Sequence, residues 1–223
     1  MTGLRPGTTY HVQPRSADVA DNPSSCDDFT FTTSALNFSL RFDGSSGYAD
    51  VATAADLNIT ADWTIEAWFR DDDPNGFNHP RRTNLSNGDT AATPDVPYLV
   101  QVGENNNIAG LRSAGVNSFV TWDLNALGLK AKDWHHVAVA FNAAASNLNL
   151  WLDGRHITYL TIPAHTRSGS ALPLDIGRKG PCPATTGWAS DDVRNWSAAR
   201  PGSAISATFQ SQLNGPQPNL VAN

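Results

Sequence analysis

Residues 133–154, DWHHVAVAFNAAASNLNLWLDG, constrain the fold more than any other stretch of the chain. Val137, Val139 and Phe141 alternate with Ala138 and Ala140, the period of two that a half-buried strand needs. Leu148, Leu150 and Leu152 then point one way, and Asn147, Asn149 and Trp151 the other. Between the two runs lies a small polar segment, and Asp153-Gly154 closes the second run with a dipeptide suited to positive φ. No helical period fits. The stretch therefore predicts a hairpin of two buried strands, and with it a sheet protein.

A chain of 223 residues suits one all-β sandwich, or one domain plus a fragment, and its 40% hydrophobic content supplies a core. The formal charge of −6 argues against nucleic acid as a partner. Lysine occurs only at Lys130, Lys132 and Lys179, a balance that favours a secreted surface. No apolar run approaches the ~18 residues of a membrane span, so membrane insertion is not expected. No signal peptide opens the chain, and its first residues read directly as turn and strand, as in a piece internal to a longer protein. Cys26 and Cys182 lie far apart with no metal-ligand spacing. They would pair only if the first segment docked on the rest, and two unpaired residues are the expectation.

Residues 1–35 differ in character from the rest of the chain. Leu4, Pro6, Thr8 and Tyr10 resemble in spacing the tyrosine corner of a fibronectin type III domain, with DFTFTTSA (28–35) like its last strand. The segment is similar to the closing third of such a domain. Pro14 departs from the pattern, because proline cannot donate to a central ladder. From Leu36, short strands are expected around LRFDG (40–44) and Tyr48–Ala52, then a longer one over WTIEAWFR (63–70). A long polar loop, 71–97, is expected to carry a solvated acidic turn at Asp71-Asp72-Asp73. Further strands are expected at 98–103, 108–111, 118–122, 157–162 and 172–177, then one around Val193. Ile205, Phe209 and Leu213, four apart, predict a short helix, and residues 214–223 read as the start of a further, truncated strand.

Four segments in order, LRFDGSSGYADV, TIEAWF, WHHVAVAF…LNLWLDG and LDIGR…GW…DDVRNWS, resemble the laminin-G-like, concanavalin-A-like jelly-roll family, in its bacterial branch related to pentraxins. The match covers residues 36–213. It implies an all-β fold, a two-sheet antiparallel jelly-roll sandwich. It also implies an extracellular or cell-surface setting, with further domains of a longer chain as neighbours. Trp68, Trp134 and Trp196 fall at core positions of the family pattern, while Trp63, Trp122, Trp151 and Trp188 are less constrained.

The fold family includes glucanases, but retaining hydrolysis needs two carboxyl groups about 5–5.5 Å apart. The chain has two glutamates, Glu66 and Glu104, on different predicted strands, and no E-x-D-x-x-E run. A catalytic role is therefore not expected. His135 and His136 are adjacent in a strand, so their rings point to opposite faces and cannot hold one ion. They are expected to be scaffold. By the resemblance, a structural calcium ion would sit between Asp43 and Asp191, at an early turn and a late strand.

For a ligand, the expected contacts are the Asn147, Asn149 and Trp151 face, Trp122, and Arg81 in the polar loop. A Trp–Asn face suits a sugar. The expected function is a non-catalytic recognition or adhesion module that binds a glycan or an extracellular protein. The alternatives are a carbohydrate-binding appendage of a larger secreted glycoside-active enzyme, and a structural spacer.

Overall fold

The computed structural model describes residues 9–13, 15–17, 19–25, 27–32, 39–42, 47–52, 55–74, 77, 82–87, 96–102, 107–113, 116–162, 170, 172–177, 188–211, 213 and 217–222. Asp43, Arg81, Glu104, Cys26 and Cys182 lie outside them. The chain divides into two units, Met1–Phe38 and Ser39–Asn223. In the first, β1 (Thr9–Val12) pairs antiparallel with β4 (Phe29–Thr32). β2 (Arg15–Ala17) pairs with β3 (Pro23–Ser25). Thr9 and Thr32 share a hydroxyl hydrogen bond of 2.8 Å across the first pair, and His11 Nδ1 lies 2.6 Å from Asp28 Oδ2.

The second unit is an antiparallel two-sheet jelly-roll sandwich. Its strands are β5 (Leu40–Phe42), β6 (Ala49–Val51), β7 (Trp63–Asp71), β8 (Arg82–Asn87), β9 (Val96–Val102), β10 (Asn107–Ser113) and β11 (Val116–Trp122). They continue as β12 (His135–Asn142), β13 (Asn147–Leu152), β14 (Arg155–Thr161), β15 (Leu174–Ile176), β16 (Trp188–Trp196) and β17 (Leu220–Ala222). One sheet has the order β11-β10-β9-β8-β15-β6, and the other runs β14-β13-β12-β7-β16. The outer edge of β16 is divided: β5 pairs with Trp188–Ser190, and β17 with Asn195 and Trp196. A register shift between Asp191 and Arg194 in the pairing with β7 separates the two halves.

The hairpin read from sequence is the middle of the larger sheet. Val137, Val139 and Phe141 stand opposite Leu152, Leu150 and Leu148 on the core face. Ala138 and Ala140 stand opposite Trp151 and Asn149 on the outer face. The second turn takes φ of 48° at Asp153 and 72° at Gly154, as the Asp-Gly pair predicts. Leu148 and Leu150 are fully buried with Trp63, Ile65 and Phe69 of β7. Tyr98, Val100, Val102, Leu111 and Val120 complete that core from the facing sheet. Within it, the Tyr98 hydroxyl donates to Leu57 O (3.3 Å) and accepts from Asn195 Nδ2 (2.7 Å). Burial pushes this phenol far above its usual range, the Asn195 bond only partly opposing it.

Three expectations are corrected. The polar stretch 71–97 contains β8, in which Leu85, Ser86 and Asn87 are buried. Its single leucine gave no alternation to read, and the ladder comes from neighbours β9 and β15. The three aspartates are not a solvated turn. Asp71 and Asp73 are buried, Asp71 Oδ1 accepts the Asp73 N–H at 3.0 Å, and Asp72 holds Arg70 at 2.8 and 3.1 Å. Trp196 is buried as the family pattern implies, but the other tryptophans divide the other way. Trp63, Trp122, Trp151 and Trp188 are all buried, whereas Trp68 and Trp134 are half-buried. Trp134 lies beneath the Arg70 guanidinium, 5.1 Å from its carbon.

The predicted helix is α1 (Gly202–Thr208), seven residues on the outer face of the larger sheet. Pro201 stands at its N-cap with no side-chain cap, so packing holds it rather than intrinsic propensity. Ile205 is its buried contact with Ala138, Ala140 and Trp151.

Candidate functional site

The outer face of the larger sheet carries two neighbouring environments. One lies under α1 and is closed. Strand alternation turns Thr64, Glu66 and Trp68 of β7 away from the core, together with His136 of β12 and Arg194 of β16. Glu66 is fully buried and pairs with Arg200. Its other oxygen lies 3.5 Å from His136 Nε2 and 3.8 Å from Arg194 Nη1. Burial would raise this carboxyl, but the His136 and Arg200 contacts outweigh it and hold it below the usual carboxylate range.

The two arginines tie the covering segment down. Arg194 pairs with Asp192 and donates to the carbonyls of Thr208 (3.3 Å) and Ser211 (2.6 Å). Arg200 Nη2 donates to Thr208 Oγ1 at 3.0 Å, and its guanidinium stacks 4.3 Å over Trp196. Trp68 Nε1 donates to Phe209 O at 3.0 Å and its ring stacks on Phe209. These donors satisfy carbonyls that the end of a helix leaves open. With Glu66 sealed and ion-paired, this cluster clamps α1 to the sheet.

His135 and His136 point to opposite faces, as expected. The ring of His135 pairs with Asp153 (3.0 Å) and with Lys130 O (3.0 Å). The Asp153 bond raises it first, against burial.

The second environment is open. At the free edge of the sheet, Asn147 stands opposite Thr161, Asn149 opposite Tyr159, and Trp151 opposite His156. These three rungs share the outer face. Asn149 Nδ2 donates to Asn147 Oδ1 at 2.8 Å, which fixes both amides and leaves Asn147 Nδ2 and Asn149 Oδ1 with no bond among the described residues. Tyr159 is 63% exposed, with Thr161 and His156 also exposed. His156 packs edge-on against Trp151, 5.3 Å between ring centroids. The strip thus combines an accessible aromatic ring with amide donors and acceptors fixed beside it.

Of the expected site residues, Asn147 and Asn149 lie together on this strip, half-buried. Trp151 shares their face but is 7% exposed, because α1 covers it. A Cβ on Gly202 would meet its Nε1 at 2.9 Å. It is the floor of the strip's end, with no open ring face. Trp122 is 5% exposed and part of the core between the sheets. Arg81 lies outside the described residues. Tyr159, the exposed ring, escaped the sequence reading. The available signal was the alternation within residues 157–162, which sets Tyr159 opposite in phase to Leu160; its pairing with Asn149 depends on a bulge after Leu150.

For calcium, the described residues supply Asp191, half-buried opposite Trp68, with Asp43 outside them. Asp191 Oδ1 accepts the Asp192 N–H at 2.8 Å. Burial chiefly raises this carboxyl, the Asp192 N–H lowers it and the Asp192 charge adds to the rise. Among the described residues no three His, Cys, Asp or Glu side chains gather, and calcium takes six to eight oxygens. The described residues therefore do not by themselves form such a site.

An antiparallel jelly roll with a helix strapped over one sheet defines a lectin-like sandwich. The family model described as the concanavalin A-like lectin/glucanases superfamily matches residues 43–206, and the chain belongs to this family. No curated protein matches the sequence. Among solved structures, the binding domain of Paraclostridial Mosquitocidal Protein 1 aligns with a TM-score of 0.61 at 14% identity, over 78% of this chain and 45% of that one. The ligand-binding domain of botulinum neurotoxin serotype D, in complex with N-acetylneuraminic acid, aligns at 0.64 and 13% identity, over 80% and 43%. A carbohydrate-binding module of Ruminococcus gnavus IT-sialidase, bound to α2,3 sialyllactose, aligns at 0.62 and 15%, over 76% and 95%. The chain thus spans under half the length of the toxin binding domains. These likenesses concern the fold.

Proposed function

We propose that the second unit is a non-catalytic glycan-recognition module of an extracellular or cell-surface protein, and that the β13–β14 strip is its binding face. The observation that carries this is the rung Asn149–Tyr159 beside Asn147. A pyranose presents an apolar C–H face and a rim of hydroxyls. An exposed phenol ring receives the first, and amide groups fixed within reach exchange hydrogen bonds with the second. Asn147 Nδ2 and Asn149 Oδ1 supply one donor group and one acceptor for that rim. The neutral chemistry of the strip favours an uncharged sugar unit. Solved neighbours with glycans bound, one N-acetylneuraminic acid and one sialyllactose, support the glycan class of partner. The sequence holds two glutamates, Glu66 and Glu104, and no E-x-D-x-x-E run, which supports a binding role over hydrolysis.

The first unit, on this reading, is the closing part of a fibronectin type III domain. Support comes from the Leu4, Pro6, Thr8 and Tyr10 spacing and the antiparallel pairing of β1 with β4. A calcium ion at Asp43 and Asp191 remains a proposal of the family resemblance.

A glycan array with the full chain, with and without EDTA, tests the reading. The wild type should retain at least one glycan. Tyr159→Ala should lose at least about tenfold in affinity while its melting changes by no more than the ~0.5 kcal/mol usual for surface sites. Retention of no glycan, or equal binding by Tyr159→Ala, overturns the assignment. Melting insensitive to EDTA removes the calcium.

A further inference from the structure

Asn58 lies in the run Asp56-Leu57-Asn58-Ile59-Thr60, an N-x-T acceptor sequence. With x other than proline, the chain contains four N-x-S/T runs, at Asn37, Asn58, Asn84 and Asn195. The fold sorts them. Asn195 is fully buried and its Nδ2 donates to the Tyr98 hydroxyl at 2.7 Å, so attachment there would break the core. The side chains of Asn37 and Asn84 lie outside the described residues. Asn58 follows a single 3-10 turn at Ala55–Leu57, with its N–H on Ala55 O at 3.0 Å. Leu57 and Ile59 are 2% and 8% exposed and anchor the backbone. Asp56, Asn58 and Thr60 are all exposed. No described residue engages the side-chain amide of Asn58.

The geometry points to Asn58 as the attachment site of an N-linked glycan. The reaction is a group transfer from a lipid pyrophosphate-linked oligosaccharide. The Asn58 Nδ2 forms a bond to the anomeric carbon as the bond from that carbon to the pyrophosphate oxygen breaks. One amide proton is lost, and the lipid pyrophosphate leaves with the electron pair. Thr60 supplies the hydroxyl that transferases read two residues on, and its exposure with Asn58 lets one enzyme groove take both. Natural occupancy rests on the extracellular setting proposed above, but acceptor competence does not.

The test is therefore made with the full chain secreted behind an added leader from a host that N-glycosylates. Glycopeptide mass spectrometry should find one oligosaccharide on the peptide containing Asn58. Asn58→Gln and Thr60→Ala should abolish that addition, Thr60→Ser should retain it, and the Asn195 peptide should be bare. An unmodified Asn58 peptide in the secreted, folded protein overturns the proposal, as does an addition that survives Asn58→Gln. The glycan array reads the strip at Tyr159 independently, so the two proposals fail separately.

Discussion

Removing the Glu66 carboxylate isolates the energy of the clamp over the sheet. In Glu66→Ala, Arg194 and Arg200 stay beneath α1 and lose their shared anion, with Arg194 fully buried. Breaking one partner out of a buried ion cluster costs about 3–5 kcal/mol, because the remaining charge is left uncompensated. For a unit of this size that corresponds to a fall of roughly 6–20 °C in melting temperature. Glu66→Gln keeps the volume and should cost less, since its amide oxygen still accepts from Arg200. The pH dependence gives a second reading. The folded carboxyl sits below its unfolded value, so its contribution is complete above the ordinary value of ~4.3 and fades as pH falls through the folded one. The gap between wild type and Glu66→Gln should be full at pH 7 and narrow below about pH 4. Chemical denaturation of both variants across this range measures it. A Glu66→Ala cost under ~1 kcal/mol at pH 7, or a Glu66→Gln gap that is the same at pH 3 as at pH 7, would refute the clamp.

The His135–Asp153 pair titrates with the opposite sign. The folded imidazole is raised, so its stabilisation is complete below ~6.5 and lost as pH rises through the folded value. Asp153→Asn, which tolerates the positive φ and can still accept the His136 N–H, should cost about 1 kcal/mol near pH 5.5 and little at pH 9. Equal costs at both pH values would exclude the charged pair. Gly202→Ala drives a Cβ against the Trp151 indole and should destabilise α1 by about 1–3 kcal/mol, less any gain in helix propensity. Hydrogen exchange confined to residues 202–211 would report it, and unchanged protection there would count against close packing on Trp151.

The sequence made the hairpin legible because its alternation, turn and closing Asp-Gly are all local. The inward leucines at 148, 150 and 152 required no knowledge of the partner sheet. β8 was illegible for the converse reason. Leu85 alone marks its core face, and buried Ser86 and Asn87 are polar residues that only the ladder can house. The Asn147–Asn149 face was readable from parity. That α1 would cover Trp151 was not, since the helix lies far downstream and its seat depends on Glu66, Arg194 and Arg200 meeting across β7 and β16. Tyr159 was hidden by a one-residue bulge, which shifts every pairing beyond Leu150.

The shared outer edge of β16 has a kinetic consequence. β7 is flanked by β12 and β16, and β5 waits for β16 as well. During synthesis, β5 must therefore persist without its partner, and β7 with β12 alone beside it, until β16 has been made. Such long-range pairing makes folding slow and exposes edges to misassembly. It also means that β5 and β17, far apart in sequence, meet the same neighbour, one on each side of the irregularity between Asp191 and Arg194. Insertion into the larger sheet is accordingly best tolerated away from β16, at a turn such as Ala143–Ser146, where added residues leave every pairing in place.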